Sequence, residues 1–269
     1  MNEAFVMSRA AAKKLRLEQA VLLPYAYRGE EIARYSNVNP DALVIYPYRE
    51  REDGTPELIP AQQLAKDCPN VFEYLSSFKN KLKLRQDSRR LYADGVDWYR
   101  HLRPGTFHYI RSPKLVFKAI SKKTCGGLLG ENTAFDGANC PAIIAENIGN
   151  HDIKYLLGLL NSTLASYHLR GVCPPKLSGY LKFSATCLSD TPIRTIDFAK
   201  PSDKEYHDKI VSLVDQLLTL SEQLPNAKTD HEKTTLQRQI DAVDLQIDQL
   251  VYELYVLTEK EIKIIEGKQ

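Results

Sequence analysis

The chain has 269 residues, of which 43% are hydrophobic and 26% are charged, and its formal net charge is +2. These values are ordinary for a soluble globular protein and leave room for one large domain or two modest ones. No apolar stretch approaches the roughly 18 residues that a membrane-spanning helix needs, so no membrane partner is expected. The five cysteines are widely spaced without a C-x-x-C pair, which argues against disulfides or a zinc site and favours a reduced, cytoplasmic setting.

The first sixty residues predict a small β-structure. We expect Pro24 to mark a turn. Ala42 to Tyr48 is a β-rich apolar run that Pro47 ends, so it predicts a strand. Asp53-Gly54-Thr55-Pro56 is typical of a turn, and residues 57–59 are therefore predicted to return as the second strand of a hairpin.

A basic segment follows. Pro69 suits the first turn of a helix over residues 71–90, whose predicted outer side carries Lys79, Lys81, Lys83, Arg85 and Arg89. Residues 79–123 contain 13 basic and 3 acidic side chains. This excess predicts a surface for a polyanion, although a solvated helix followed by basic loops fits the count equally well.

The middle of the chain alternates short strands with one strong helix. Leu115 to Ile120 and Ala142 to Ala145 are predicted strands, separated by turns or short strands. Asp152 to Leu169 has the apolar spacing of a single helix, with Tyr167 among the residues expected to face inward. A proline-containing loop over residues 171–179 then leads to a short extended segment.

The last third is patterned as a helical hairpin. Pro225-Asn226 separates two runs in which apolar residues are spaced by three and four, and this spacing predicts two paired helices. Capping boxes are predicted at Ser202–Glu205, Thr229–Glu232 and Thr258–Glu261. Residues 201–269 hold 14 acidic and 8 basic side chains, which argues against DNA contact there. The first heptad run consists of Ile210, Leu213, Leu217, Leu220 and Leu224, and the second of Leu236, Ile240, Val243, Ile247, Leu250 and Leu254.

These elements predict an α+β fold, with a mixed small-sheet domain over residues 1–200 and the antiparallel hairpin plus a short terminal helix over residues 201–269. The order of several motifs is more specific than the elements themselves. The motifs are Pro24 to Tyr35, Ile45-Tyr46-Pro47-Tyr48, Tyr74-Leu75 with Leu82 and Arg85, Trp98-Tyr99, Ser112 to Val116, Tyr155 to Ser162, Thr191-Pro192-Ile193 and Ile247 to Ile262. Their order resembles the TaqI-like target-recognition region of type II, type IIG-like, restriction-modification adenine methyltransferases.

The resemblance implies a function in DNA recognition. Such regions select the DNA sequence that an S-adenosylmethionine-dependent adenine methyltransferase modifies, in restriction-modification or phage-defence systems. The chain lacks an Asn-Pro-Pro-Tyr motif and a glycine-rich cofactor loop, so we expect no catalytic centre and no cofactor within it. The expected partners are double-stranded DNA and a methyltransferase domain or subunit, with or without a nuclease. Either an excised domain or a separate specificity polypeptide fits the resemblance.

Candidate DNA contacts follow from charge and from the loops. Lysine and arginine neutralise phosphates, whereas side chains on loops read base edges. The loops expected to read bases are residues 121–139 and 170–182. The predicted phosphate contacts are Arg28, Lys81, Lys83, Arg85, Arg89, Arg90, Lys114, Lys118, Lys122 and Lys123. The favoured base readers are Lys122, Lys123, Asn132, Arg170, Lys176 and Tyr180.

Several conspicuous residues have a structural interpretation that we favour. Trp98 is predicted to be core, Asn161-Ser162 to cap or kink a helix, and Tyr252 and Tyr255 to pack within the hairpin. Two other functions stay open from sequence alone. One is a catalytic fragment, which the missing motifs count against. The other is a coiled-coil interaction module that binds RNA or a protein partner.

Overall fold

The computed structural model describes residues 2–144 and 149–268, and it confirms the predicted α+β fold with a C-terminal helical hairpin. The helices are α1 Arg9–Lys14, α2 Ala61–Asp67, α3 Pro69–Ser77, α4 Lys79–Lys83, α5 Phe107–Arg111, α6 Ile153–Asn161, α7 Thr163–Val172, α8 Ala185–Ser189, α9 Pro201–Gln223, α10 Asp230–Leu254 and α11 Glu259–Glu266. The strands are β1 Val6–Ser8, β2 Leu22–Ala26, β3 Asn37–Val38, β4 Ala42–Ile45, β5 Tyr48–Glu50, β6 Pro56–Leu58, β7 Gln86–Asp87, β8 Arg90–Leu91, β9 Lys114–Phe117, β10 Ile120–Ser121, β11 Gly126–Leu129, β12 Ala134–Phe135, β13 Ala142–Ile144 and β14 Leu181–Lys182. No helix among these residues combines the length and apolar character needed to cross a bilayer.

The chain forms two compact units, each assembled from separate stretches of sequence. Unit 1 comprises Met1–Ala26, Asn39–Ser112 and Glu131–Phe135. Unit 2 comprises Tyr27–Val38, Pro113–Gly130 and Asp136–Gln269. The domain boundary predicted near residue 200 therefore falls inside unit 2, because the hairpin shares its hydrophobic core with the sheet and helices that precede it.

A four-stranded sheet organises unit 1, in the order β1-β4-β2-β12. Strand β4 lies antiparallel to both β1 and β2, while β12 joins β2 in parallel. Trp98 is 3% exposed in the core of this unit, which confirms its predicted structural role. The turn expected at Pro24 is wrong, since Pro24 lies within β2 opposite Leu43; a strand tolerates proline where the missing N–H is not needed.

The long basic helix predicted over residues 71–90 is also too long. Helix α3 does begin at Pro69, but helical structure ends at Lys83. The chain then forms the β7–β8 hairpin, whose turn holds Ser88 and Arg89 at φ angles of 50° and 68°. The alternating lysines lie within α4, and the hairpin begins only after them, where exposed polar residues suit a helix and a hairpin equally.

In unit 2, a second four-stranded sheet has the order β13-β9-β11-β3. Helices α6, α9 and α10 pack with this sheet around one core, in which Leu157, Leu217 and Ile247 are fully buried. Tyr255 packs against this core and Tyr252 is buried, which agrees with the packing role predicted for both. The third predicted strand forms over β13, and its last predicted residue, Ala145, lies outside the described residues.

Two of the three predicted capping boxes are formed in the structure. Thr229 and Glu232 form the predicted capping box of α10, and Thr258 and Glu261 form that of α11. The box predicted at Ser202 is wrong. Helix α9 starts one residue earlier at Pro201, behind Lys200, and its first turn has no side-chain cap.

The single helix predicted over residues 152–169 is two helices. Helix α6 ends at Asn161, and Ser162 then accepts a hydrogen bond from the Ala165 N–H at 3.1 Å to cap α7. This confirms the capping role predicted for Asn161-Ser162. Because α7 starts a new helical phase, Tyr167 is 45% exposed instead of facing inward.

A glycine permits a close contact between two helices of unit 2. A Cβ atom added to Gly158 in α6 would lie 2.6 Å from Cγ2 of Ile210 and 3.3 Å from Cγ2 of Val214, both on α9. The separation of α6 and α9 is therefore set by the absence of a side chain at this position.

We expect Gly158→Ala to destabilise the chain by about 1–3 kcal/mol, because overpacking outweighs the gain in helix propensity. Gly171→Ala is the matched control. Gly171 lies in α7 with open space around its Cα, so this substitution should stabilise by about 0.5–1 kcal/mol. Urea unfolding of both variants gives the comparison. Equal effects at the two positions would contradict the close contact.

His101 in unit 1 generates a pH dependence. Burial lowers the pKa of its imidazole to about 4, although the ring Nε2–H donates a hydrogen bond to the Ile45 carbonyl at 2.9 Å, which raises this pKa. The unfolded chain, with the ordinary pKa near 6.5, therefore takes up this proton before the folded chain does. Stability from this group is present above pH 6.5 and is lost as the pH falls towards 4.

We expect the wild type to lose about 2 kcal/mol more stability between pH 7 and pH 5 than His101→Gln does. Denaturant unfolding at the two pH values measures this difference for each protein. An identical loss in both proteins would mean that His101 is not buried in its neutral form.

Candidate nucleic-acid interface

Two loops of unit 2 are held together at one edge of the unit. Strands β10 and β14 pair antiparallel, with Ile120 opposite Lys182 and Ser121 opposite Leu181. The Phe183 N–H extends this pairing by donating to the Ala119 carbonyl at 2.8 Å. We call the surface formed by residues 121–124 and 174–182 the two-loop surface. It unites parts of both segments that were predicted to read bases.

The second loop is a tight hairpin. The Lys182 N–H donates to the Pro174 carbonyl at 2.9 Å, and the Lys176 N–H donates to the Tyr180 carbonyl at 2.7 Å. Ser178 and Gly179 close the tip at φ angles of 58° and 76°. A positive φ is uncommon for serine, so the conformation of the tip is enforced by the hydrogen bonds across its base.

Helix α7 supports both loops. The buried Thr124 ends the first loop, where its hydroxyl lies 2.7 Å from the Ser166 hydroxyl and its N–H donates to the same oxygen at 3.2 Å. At its C-terminal end α7 stops before Cys173, from which the second loop begins. The two loops are therefore fixed to one rigid element, as side chains that read a ligand require.

The two-loop surface is basic, with an aromatic ring at its centre. The Lys122 ammonium lies 5.4 Å from the centroid of the Tyr180 ring, in a cation–π contact, and Tyr180 is 40% exposed. Neither residues 98–130 nor residues 153–189 contain an aspartate or a glutamate. The exposed basic side chains here are Lys122, Lys123, Lys176 and Lys182, and Arg170 is exposed near the C-terminal end of α7.

Such an arrangement suits a polyanion that also presents planar groups. The ammonium and guanidinium groups attract phosphates, while Tyr180 offers a π face and a hydroxyl. Leu177 at the loop tip is 91% exposed, so an apolar side chain stands among the charges. The sequence analysis missed Leu177 and Lys182 as individual candidates, although the acid-free run around them was a usable signal.

The other predicted contacts are divided between the units. In unit 2, Arg28 is exposed beside the Tyr27 ring, and the backbone of the adjacent Gly29 lies against Lys118. Unit 1 carries the exposed Lys81, Arg89, Arg90 and Asn132 and the half-buried Lys83. Within each unit these side chains stay candidates.

Arg85 does not fit the predicted phosphate contact. It is 6% exposed, and its guanidinium donates to the carbonyls of Leu82, Trp98 and Arg100 at 3.0, 2.7 and 2.7 Å. Burial lowers the pKa of this group. The reason is the early end of α4, which turns Arg85 into unit 1 instead of leaving it on the outer side of a helix.

Lys114 is the second correction. It is fully buried on β9, between β11 and β13, and its ammonium donates to the Gly130 carbonyl at 3.3 Å. A strand covered on both faces buries every side chain, whatever its charge, when a partner is available. Lys114 is therefore a structural residue of unit 2.

Nucleophilic or metal chemistry finds little support in the described residues. Burial raises the pKa of the Cys140 and Cys173 thiols to about 12, which disfavours the reactive thiolate. No cluster of three or more His, Cys, Asp or Glu ligands occurs among residues 2–144 and 149–268.

Comparison with known proteins gives one informative similarity. The chain matches no family model. It is 25% identical over 248 residues to the type II restriction enzyme and methyltransferase RM.Eco57I of Escherichia coli. The match covers 86% of this chain but 23% of that protein, so the chain spans less than a quarter of its relative's length. The chain is thus similar to a region of a restriction-modification protein.

We expect Arg85→Lys to destabilise unit 1 by about 2–3 kcal/mol, because lysine cannot donate in the planar fork that reaches three carbonyls. Arg89→Lys, at an exposed turn, should change stability by less than about 0.5 kcal/mol. Thermal and denaturant unfolding measure both variants. A stable Arg85→Lys protein with weakened DNA binding would restore Arg85 as a contact residue.

Proposed function

We propose that this chain is a DNA target-recognition region that selects the sequence modified by an adenine methyltransferase of a restriction-modification or phage-defence system. The observation that carries the proposal is the two-loop surface, on which two segments far apart in sequence present Lys122, Tyr180 and Lys176 from one rigid helix. The similarity to a region of a restriction enzyme and methyltransferase supports the same function.

In this proposal affinity and specificity come from different side chains. The exposed lysines and arginines of each unit neutralise phosphates without reading sequence. Lys176 and Tyr180 stand on a constrained hairpin and contact base edges, for which lysine is suited to guanine O6 and N7. Arg28, Lys118, Lys122, Lys123 and Arg170 supply phosphate contacts in unit 2, and Lys81, Lys83, Arg89 and Arg90 supply them in unit 1.

The catalytic centre in this proposal belongs to a partner domain or subunit. S-adenosylmethionine would be bound there, and the chain itself performs no methyl transfer or cleavage. The hairpin of α9 and α10 serves as the docking platform for that partner. Its acidic exposed side chains are repelled by DNA phosphates, and all of its heptad residues except Leu224 already lie in the core of unit 2 or pack against it. That burial also weakens the alternative of a coiled coil formed with another chain.

The decisive experiment selects bound sequences from a randomised DNA duplex pool, with affinities measured by fluorescence anisotropy at low and moderate salt. We expect an enriched short motif and an affinity that falls steeply with salt, with a log–log slope of about −0.9 for each phosphate contacted. Lack of binding at low salt would overturn the proposal and favour the interaction module.

Three variants test whether different side chains supply affinity and sequence specificity. Lys122→Ala should weaken binding to all sequences and reduce the salt slope by about one. Lys176→Ala should relax preference at one position of the motif, equivalent to about 1–3 kcal/mol of discrimination. Lys233→Ala removes an exposed lysine of α10 and is the control, with unchanged binding expected. Uniform effects of the first two on every sequence would contradict the assignment of Lys176 to a base.

A further inference from the structure

Unit 1 contains a cavity of about 580 Å³ that the proposed interface does not use. Its walls come from β1, β4, the ends of β2 and β12, the start of β7 and the segment of residues 101–110. A cavity of this size falls in the range of small-ligand sites in proteins. What it binds follows from the side chains that face it.

The walls are unusually rich in aromatic rings: Phe5, Tyr25, Tyr46, Tyr92, Tyr109 and Phe135. Several are held in place by further rings. The Tyr46 ring meets those of His101 and Phe107 edge-on, at centroid separations of 5.9 and 5.6 Å. Phe5 meets His101 at 4.6 Å. A planar ligand therefore finds rigid π faces and edges ready to stack against it.

The charged side chains in the cavity walls are basic. Arg85 and Arg103 both line the cavity, and the described residues place no aspartate or glutamate in its lining. The Arg85 guanidinium lies between the rings of Phe5 and Tyr92, 5.2 and 5.0 Å from their centroids. It has no carboxylate partner among the described residues. A buried cation balanced only by carbonyls and rings attracts an electron-rich or anionic ligand.

A third observation concerns Tyr46, which lines the cavity. The Tyr46 hydroxyl is buried and has no hydrogen-bond partner within residues 2–144 and 149–268. Tyr46 as a whole is 4% exposed. Burying a hydroxyl without a partner costs about 1–3 kcal/mol, and native structures rarely leave one so. Burial also raises the pKa of this phenol, so it stays a neutral donor.

We propose that this cavity binds one nucleobase together with its phosphate. Bases are planar and stack on aromatic side chains with about 1–3 kcal/mol per base. Their edges carry the acceptors that the Tyr46 hydroxyl lacks. Arg85 meets the electron-rich edge of the base, and the exposed Arg103 meets the phosphate. A purely apolar ligand would leave the Tyr46 hydroxyl without a partner and would offer neither arginine an acceptor.

Two sources can supply this chemistry. One is a nucleotide of the DNA rotated out of the duplex, an assignment that rests on the proposed function. Its unstacking costs a few kcal/mol, least for a base that is already unpaired. The other is a free nucleotide, which requires no DNA binding. The experiment therefore has one arm for each source.

In the first arm, saturation-transfer difference NMR detects the four deoxynucleoside monophosphates with the full chain. In the second, fluorescence anisotropy compares a fully paired duplex with the same duplex carrying one bulged nucleotide. Tyr46→Phe keeps the ring and removes the hydroxyl. We expect it to weaken nucleotide or bulge binding about tenfold while leaving the folded chain as stable or more stable. Arg103→Ala should weaken binding similarly.

Tyr74→Phe and Arg51→Ala are the matched controls. The Tyr74 hydroxyl donates to the Glu3 carbonyl at 3.1 Å, so its removal should lower stability slightly and leave ligand binding unchanged. Arg51 is an exposed arginine outside the cavity. Binding in either arm that is lost in Tyr46→Phe but kept in both controls supports the nucleotide site.

The outcomes also separate this inference from the proposed function. Binding of free nucleotides without binding of duplex DNA keeps the cavity site and overturns DNA recognition. Sequence-preferring duplex binding that ignores both the bulge and Tyr46→Phe, with no monophosphate signal, overturns the cavity site and keeps DNA recognition. A signal in either arm that is equal in wild type and Tyr46→Phe also overturns the cavity site.

Discussion

The packing of unit 2 depends on the hydrogen bonds made at the turn between α6 and α7. The buried Asn161 side chain accepts the Gly126 N–H at 2.8 Å and donates to the Gly126 carbonyl at 2.9 Å, which satisfies both backbone groups of a central strand. The Asn161 carbonyl in turn accepts a hydrogen bond from Arg34 at 2.6 Å. The bonds between Asn161 and Gly126 are buried, so loss of the Asn161 amide leaves desolvated backbone groups behind.

The same turn fixes the hairpin. Arg34 also holds the Asp244 carboxylate of α10 through two hydrogen bonds of 2.7 and 2.8 Å. One turn further along α10, Asp248 accepts the N–H and the hydroxyl of Thr163 at 2.7 and 2.6 Å. Because α7 begins here and supports both loops at its other positions, the two-loop surface inherits its rigidity from contacts made by the hairpin.

Heptad spacing and capping boxes predicted the hairpin well because both are local signals. Leu217 and Ile247 follow the apolar spacing of a buried helix face, and Thr229 binds the backbone of the helix that it precedes. The sequence predicted a cap or kink at Asn161-Ser162, but it did not predict that residues 152–169 divide into two helices. The cause of this division is the long-range pairing of Asn161 with Gly126, which no local pattern encodes. The predictions that Arg85 and Lys114 contact phosphates were wrong for a related reason. Counting charges along a sequence assigns every lysine and arginine to the surface, whereas here two are satisfied by carbonyls inside their units.

Because Arg85 is buried, the basic side chains of residues 79–123 do not all lie at the surface. Exposed lysines act on phosphates through a field that salt screens, so their contribution falls as ionic strength rises. Arg85 lies between two rings in a cavity wall, where screening is weak and stacking dominates. A contribution from such a site is insensitive to salt but sensitive to the shape of the ligand. In the two proposals made here, one basic stretch of sequence therefore supplies two physically different kinds of recognition, a screened field at the surface and a shaped contact inside unit 1.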